Sequence, residues 1–240
     1  MLEIKHLNKS FPSAGSGRSV IEDLNFKVED GEFYMILGQS GCGKSTLLRQ
    51  IGGFDRPDSG EILLDGRQVT APSKDMMMVF QSFDQLFPWY TLEGNLIYAL
   101  KKVHSPMNGR ELSEYARQYL DLAGLAGFEN SYPHQLSGGM KQRGALARAL
   151  CLKPAVLLMD EPFSSLDYIT KRKSYGNLKN MAAQTGTTII MVTHDIEEAL
   201  ILGSAIAVFS RETKNFREIF HREDGGWEQE LQLTLEEYLM

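Results

Sequence analysis

Apolar and polar residues alternate through LEIKHLNKSF (Leu2–Phe11) and again through VIEDLNFKVEDGEFYMIL (Val20–Leu37), the period-two signal of strands with one buried face. Between them SAGSGRS is rich in Gly and Ser and predicts a hairpin loop. GEILLDGRQV repeats the strand–turn–strand theme around Asp65-Gly66, a dipeptide suited to two-residue hairpin turns. The front of the chain is therefore expected to be a β-rich layer wrapped around the FYMIL strand. MMMVF (Met76–Phe80) reads as one more short buried strand, its methionines packing a core rather than holding a metal.

From Thr91 to Leu150 the period becomes helical. In GRELSEYARQYLDLAGL the positions Leu112, Tyr115, Ala116, Tyr119 and Leu120 fall at i, i+3, i+4, i+7 and i+8, one face of an amphipathic helix. Strand character returns in AVLLMD (Ala155–Asp160) and TTIIMVT (Thr187–Thr193) as unbroken apolar runs, the mark of parallel strands buried on both faces. Each run is followed by helical sequence, so the pattern predicts an α/β core with a parallel sheet and a helical subdomain inserted into it. Arg222–Met240 is acidic and weakly amphipathic and reads as a peripheral tail or helix.

Composition narrows the function class. The 240 residues are 42% hydrophobic, enough for one sizeable core or two closely packed subdomains. Mean hydropathy is −0.25, no run approaches the roughly 20 apolar residues of a membrane span, and MLEIKHLNKSF has no apolar signal-peptide core. A soluble, cytosolic chain is expected. Cys42 and Cys151 suggest neither a disulfide framework nor a metal site and are read as reduced thiols. A net charge of −6 has the wrong sign for a bulk nucleic-acid binder, whose affinity rests on neutralising phosphates.

GQSGCGKST (Gly38–Thr46) follows the FYMIL strand and precedes the helical LLRQIGG. Gly38-x4-Gly43-Lys44-Ser45 fits the phosphate-binding pattern G-x-x-x-x-G-K-[ST], with the strand before and helix after that it requires. Glycines let successive N–H groups aim inward at phosphate oxygens, and the helix adds the positive end of its dipole. Lys44 is expected to bridge the β- and γ-phosphates and the Ser45 hydroxyl to ligate Mg²⁺. Leu47, Leu48 and Ile51 are expected to pack that helix on the sheet.

Two further stretches carry chemistry. AVLLMDEP ends in Asp160, placed to hold Mg²⁺ through water, and Glu161, which strand alternation turns to the other face, where it can polarise an attacking water. An N-cap and first-turn charge for the next helix is the plain alternative. LSGGMKQR (Leu136–Arg143) opens the helical GALARALCL; Ser137 is a natural N-cap, and the Gly138 and Gly139 amides make a second anion site. One nucleotide is already held by the first loop, so this site is assigned to the nucleotide of another subunit. A plain cap would leave the double glycine unexplained, since Gly costs about 1 kcal/mol in a helix.

In order, Gly38–Ser45, Gln81, LSGGMKQR, AVLLMDEP, SSLD (Ser164–Asp167) and His194 resemble the nucleotide-binding subunit of ATP-binding cassette (ABC) transporters over roughly residues 1 to 220. The resemblance implies one ABC ATPase domain over 1–220: a P-loop core with an antiparallel β subdomain (1–85 and 152–220), a helical signature subdomain (86–151), and a short tail (221–240). It implies an ATP site made of Phe11, stacking on adenine, with Gly38, Gln39, Ser40, Gly41, Cys42, Gly43, Lys44, Ser45 and Thr46 around the phosphates. It also implies Mg²⁺ on Ser45, Gln81 and Asp160, with Glu161 as general base, Gln81 also touching the attacking water, and His194 at the γ-phosphate. Ser137, Gly138, Gly139 and Gln142 would hold ATP in trans, and Asp167 would lie at the dimer interface. The remaining histidines, His6, His104, His134 and His221, are read as structural. Cys42 is read as a bystander in the loop whose alkylation blocks nucleotide by bulk.

QLFPWYTLEGNL (Gln85–Leu96) and YPHQLSGGMKQR resemble the nitrate/sulfonate/taurine importer ATPases, while EPFSSLD and GALARAL depart from the commoner EPF-x-ALD and VALARAL. That branch implies a homodimer closed over two ATP, separate transmembrane permease subunits that Phe87-Pro88-Trp89 helps receive, an external solute-binding protein, and a place on the cytoplasmic face of the membrane. The other readings are a soluble ABC ATPase with no transporter, the ATPase of an exporter, and a nucleotide sensor without turnover.

Overall fold

The computed structural model describes residues 1–12, 18–82, 84–103, 106–222, 227 and 231–239. The centre of SAGSGRS, His104 and much of the acidic tail lie outside the described residues. The chain divides into two units, 1–73 with 158–160 and 188–240, and 74–157 with 161–187.

The first unit holds an antiparallel sheet and a largely parallel one. Strands β1 (Leu2–Phe11), β2 (Arg18–Val28), β4 (Ser59–Leu64) and β5 (Arg67–Gln68) pair in the order β2-β1-β4-β5. The alternating residues do what their period predicts: Leu2, Ile4, Leu7, Ile21, Leu24, Phe26 and Val28 are buried. Asp65 and Gly66 form the two-residue turn between β4 and β5, with φ of 51° and 74°. Two successive positive φ values are those of a type I′ hairpin, whose twist matches that of the strands it joins.

Strand β3 (Phe33–Leu37) runs parallel to β8 (Thr188–Thr193) on one side and to β9 (Ala205–Ser210) on the other. Strand β10 (Asn215–His221) closes the edge antiparallel to β9. Beyond β8 lies the carboxyl end of β7 (Val156–Asp160). The apolar runs of β7 and β8, and that of β3 from Tyr34 onward, are buried, as strands covered on both faces require. Helix α1 (Lys44–Ile51) buries Leu47, Leu48 and Ile51, and α6 (Ile196–Leu202) packs on β3 and β8. Helix α7 (Leu231–Leu239) gives the acidic tail an element of its own and packs on α6.

The second unit is mainly helical, with β6 (Met76–Val79) beside the start of β7, where the Val156 amide donates to the Asp75 carbonyl. Helices α2 (Leu92–Lys102), α3 (Gly109–Leu122), α4 (Gly138–Leu150) and α5 (Tyr168–Thr185) pack on one another. On α3 the residues Leu112, Ala116, Tyr119 and Leu120 are buried. Its start is fixed by a capping box in which Asn108 and Glu111 satisfy each other's backbone amides.

Candidate functional site

The loop after β3 is anchored at its first residue: the Gly38 amide donates to the Thr193 carbonyl at 3.3 Å, joining the carboxyl ends of β3 and β8. At Gly43 φ is 124°, and a Cβ there would lie 2.7 Å from Val20 Cγ1. No L side chain tolerates both that dihedral and that approach. Lys44 is 4% exposed, and its ammonium donates to the Gly38 and Gln39 carbonyls at 2.6 and 2.9 Å. The loop thus curls around its own lysine, holding a positive charge beneath the helix N-terminus. Cys42 is also buried, its Sγ 3.1 Å from where a Gly38 Cβ would stand, so a thiol reagent reaches it only when the loop opens.

Ser45, on the first turn of α1, donates its hydroxyl to Asp160 Oδ1 at 2.9 Å. A hydroxyl and a carboxylate at hydrogen-bond distance are the oxygen pair a small hard cation takes, one directly and one through water. The structure offers that donor set where β7 ends beside the phosphate loop, so the residues present fit Mg²⁺. His194 follows Thr193 at the end of β8 and is exposed. Buried Thr193 steadies that end: its hydroxyl bonds the Glu198 carboxylate and accepts from the Asp195 amide. Phe11, at the end of β1, is 42% exposed with the Lys9 ammonium 5.5 Å from its ring centroid. Gln39, Ser40, Gly41 and Ser45 are exposed, and Thr46 is half-buried.

Glu161 departs from the strand rule. Strand β7 stops at Asp160, and Glu161 takes φ of 43°, the left-handed region that a residue with a Cβ enters at a cost of about 1–2 kcal/mol. Backbone handedness, not strand alternation, therefore sets its direction. The turn is held by Ser164, whose amide and hydroxyl both donate to the Glu161 carbonyl, at 3.3 and 3.0 Å. The Ser164 hydroxyl also accepts from Gln81 Nε2 at 3.4 Å. Ser164 thus ties Gln81 to Glu161, a positioning role with no signal in the sequence beyond a serine in a turn. Asp160 and Glu161 do not cap the next helix: that cap is Asp167, which accepts from the Thr170 amide at 3.0 Å. Hydrogen bonds from the Thr170 side chain and amide hold the Asp167 carboxyl below its usual range.

Ser137 caps α4, accepting from the Met140 amide at 3.3 Å. Gly139 has a packing reason of its own: a Cβ there would lie 2.7 Å from Thr170 Cγ2. The double glycine is therefore partly explained within the unit by close approach of α4 to α5. Gln142 is fully buried, and among the described residues neither its side-chain oxygen nor its nitrogen has a hydrogen-bond partner. Ahead of α2, Asn95 binds the Phe87 amide and the carbonyls of Phe87, Tyr90 and Thr91, which fixes the aromatic turn. Trp89 stands 66% exposed there, stacked on Phe87 with centroids 5.6 Å apart.

No helix among the described residues is long and apolar enough to cross a membrane, and none of their His, Cys, Asp and Glu side chains form a group of three or more able to hold a metal.

A family model described as ABC transporter matches residues 21–164. The nitrate import ATP-binding protein NrtD of Synechococcus elongatus is 42% identical over 204 residues, 85% of this chain and 74% of that protein. The aliphatic sulfonates import ATP-binding protein SsuB of Bacillus thuringiensis subsp. konkukian is 41% identical over 209 residues, 87% of this chain and 81% of its own. Nitrate import ATP-binding protein NrtC of Synechococcus elongatus is 41% identical over 210 residues, but the chain spans only 32% of its length. Among solved structures, the dimeric post-hydrolysis state of the ATP-binding cassette MJ0796 bound to ADP and Pi aligns with a TM-score of 0.79 and 31% identity, covering 92% of this chain and 98% of that one.

Proposed function

The chain belongs to the ABC transporter family, and we propose that it is the ATP-hydrolysing subunit that energises import of a small oxyanion, of the nitrate or alkanesulfonate type, through separate membrane subunits. The observation that carries the nucleotide chemistry is the bond from Ser45, beside the loop-held Lys44 that follows β3, to Asp160 at the end of β7 in the same sheet. That the substrate is an oxyanion rests on the named relatives alone, whose import functions are nitrate and aliphatic sulfonates.

In this reading the amides of Gly38–Thr46 and the α1 N-terminus gather the β- and γ-phosphate oxygens, and the Lys44 ammonium turns from loop carbonyls toward them. Phe11 offers its face to adenine. Ser45, Asp160 and Gln81 would hold Mg²⁺, which would supply positive charge to neutralise the phosphates. The Glu161 carboxylate takes a proton from water as that water attacks the γ-phosphorus; the bond to the β-phosphate oxygen breaks, and ADP and phosphate leave. His194 donates to the γ-phosphate oxygens as charge develops on them. Ser137, Gly138, Gly139 and Gln142 of a second copy close over the nucleotide, with Asp167 beside them. Trp89 and the turn fixed by Asn95 receive the permease on the cytoplasmic face of the membrane, and an external binding protein delivers the solute.

Purified chain with Mg-ATP is expected to release phosphate steadily, to stop when Mg²⁺ is chelated, and to keep binding ATP while losing at least about 100-fold in turnover as Glu161→Gln. Near-normal turnover in that variant removes Glu161 from the base role. Purification of the tagged chain from its native membranes in mild detergent tests the transport half. Co-recovery of a polytopic membrane protein supports it; recovery with cytosolic partners alone sinks it and leaves the ATPase standing.

A further inference from the structure

The tail helix α7 ends on the phosphate loop. The Gln39 side-chain amide donates to the main-chain carbonyl of Leu239 at 2.7 Å. The last four carbonyls of any helix have no partner within it, and the helix dipole leaves partial negative charge there. α7 worsens its own terminus: Glu236 and Glu237 lie in the last turn, which holds no basic residue. At nine residues it is too short to be stable alone in water. Its order is borrowed from neighbours. Leu231 and Leu235 are buried one turn apart, and the Tyr238 hydroxyl donates to Glu218 Oε2 at 2.7 Å. The Arg217 guanidinium sits 4.3 Å from the Tyr238 ring centroid. Ahead of the helix, the Trp227 indole donates to the Leu200 carbonyl at 2.8 Å.

A loop built to collect phosphate oxygens therefore lends a donor to the negative end of an acidic, marginal helix. Nucleotide triphosphate and the α7 carboxyl end carry the same sign of charge and draw on the same loop. We propose that α7 is an autoinhibitory latch: docked, it restrains Gln39 and lowers the affinity of the phosphate loop for ATP, and nucleotide binding releases it. The proposal rests on the phosphate loop being the ATP site. Linkage then works both ways: docking weakens ATP binding by the same factor by which bound ATP weakens docking, so whatever loosens the helix strengthens ATP binding.

The test uses the full chain, with Leu235→Ser to loosen the buried anchor and Tyr238→Phe to remove only the bond to Glu218. Binding of a non-hydrolysable ATP analogue with Mg²⁺ is measured by titration, and amide exchange is followed across residues 231–239 with and without it. The expected result is tighter binding in both variants, about 2- to 10-fold, the scale of one or two hydrogen bonds, with faster exchange of α7 in the unsubstituted chain once nucleotide is bound. Equal affinities in all three proteins, with α7 exchange unchanged by nucleotide, overturn the latch and leave the ATP site intact. Failure of every form to bind nucleotide overturns the ATP-site reading and the latch together. Tyr238→Phe keeps the test decisive if Leu235→Ser does not fold.

Discussion

Glu161 shows how a single residue couples stability to function. Its φ of 43° is strained for any side chain with a Cβ, yet glycine adopts it freely. Comparing Glu161→Gly with Glu161→Ala separates the two roles, because both remove the carboxylate and only the first relieves the backbone. Both variants are expected to lose turnover. The glycine form is expected to unfold at higher denaturant concentration than the alanine form, by about 0.5–1 kcal/mol once the greater entropy of the unfolded glycine chain is subtracted from the relieved strain. Equal stability of the two would mean that Ser164, which bonds the Glu161 carbonyl twice, does not hold a strained turn.

At the scale of elements, packing of α2 on α4 turns on Gly144. A Cβ at that position would lie 2.8 Å from Leu92 Cδ2 and 3.3 Å from Leu86 Cδ1, so Leu92 occupies the space a larger residue would need. Gly144→Val is expected to cost about 1–3 kcal/mol by overpacking, and Leu92→Ala about 2–5 by leaving a cavity. The double variant is expected to be more stable than their sum predicts, because the valine fills part of the cavity. Strict additivity in chemical denaturation would show that the two side chains do not compete. The same pair gives the glycine that opens GALARAL a packing reason.

Elements with a strong period were legible in the residues. The alternating strands of the first unit, the amphipathic α3, the buried runs of β3, β7 and β8, and the Asp65-Gly66 turn all lie where period and turn chemistry place them. The loop between Gly38 and Thr46 was legible as well, because its glycines, lysine and hydroxyl follow a fixed spacing. What escaped is set by single dihedrals and by long-range contacts. Nothing local announces the left-handed turn at Glu161, the Ser164 bridge to Gln81, or the close approach that Gly139 makes to Thr170. Strand β10 was missed because its burial is incomplete and its apolar residues alternate irregularly. Helix α7 is not legible as a docked element because it packs on α6, an element well back in the chain, and the short acidic segment carries little apolar pattern of its own.

For the whole molecule the proposed cycle needs two copies, and charge bears on how that is observed. Each chain carries −6, and two triphosphates add more negative charge, so long-range repulsion opposes closure while the nucleotides join the facing surfaces. Moderate salt screens that repulsion beyond about 8–10 Å and leaves short hydrogen bonds at the phosphates largely intact. Turnover also reopens a closed pair, so Glu161→Gln is the form in which a dimer should accumulate. With saturating Mg-ATP at about 150 mM salt, this variant is expected to run at twice the 27.0 kDa of one chain in light scattering, and to return to one chain when ATP is removed. At about 20 mM salt the dimer fraction is expected to fall, as screening weakens. ATP bound at full occupancy with the mass of one chain at both ionic strengths would sink the head-to-tail pair. The trans roles of Ser137, Gly138, Gly139 and Gln142 would fall with it.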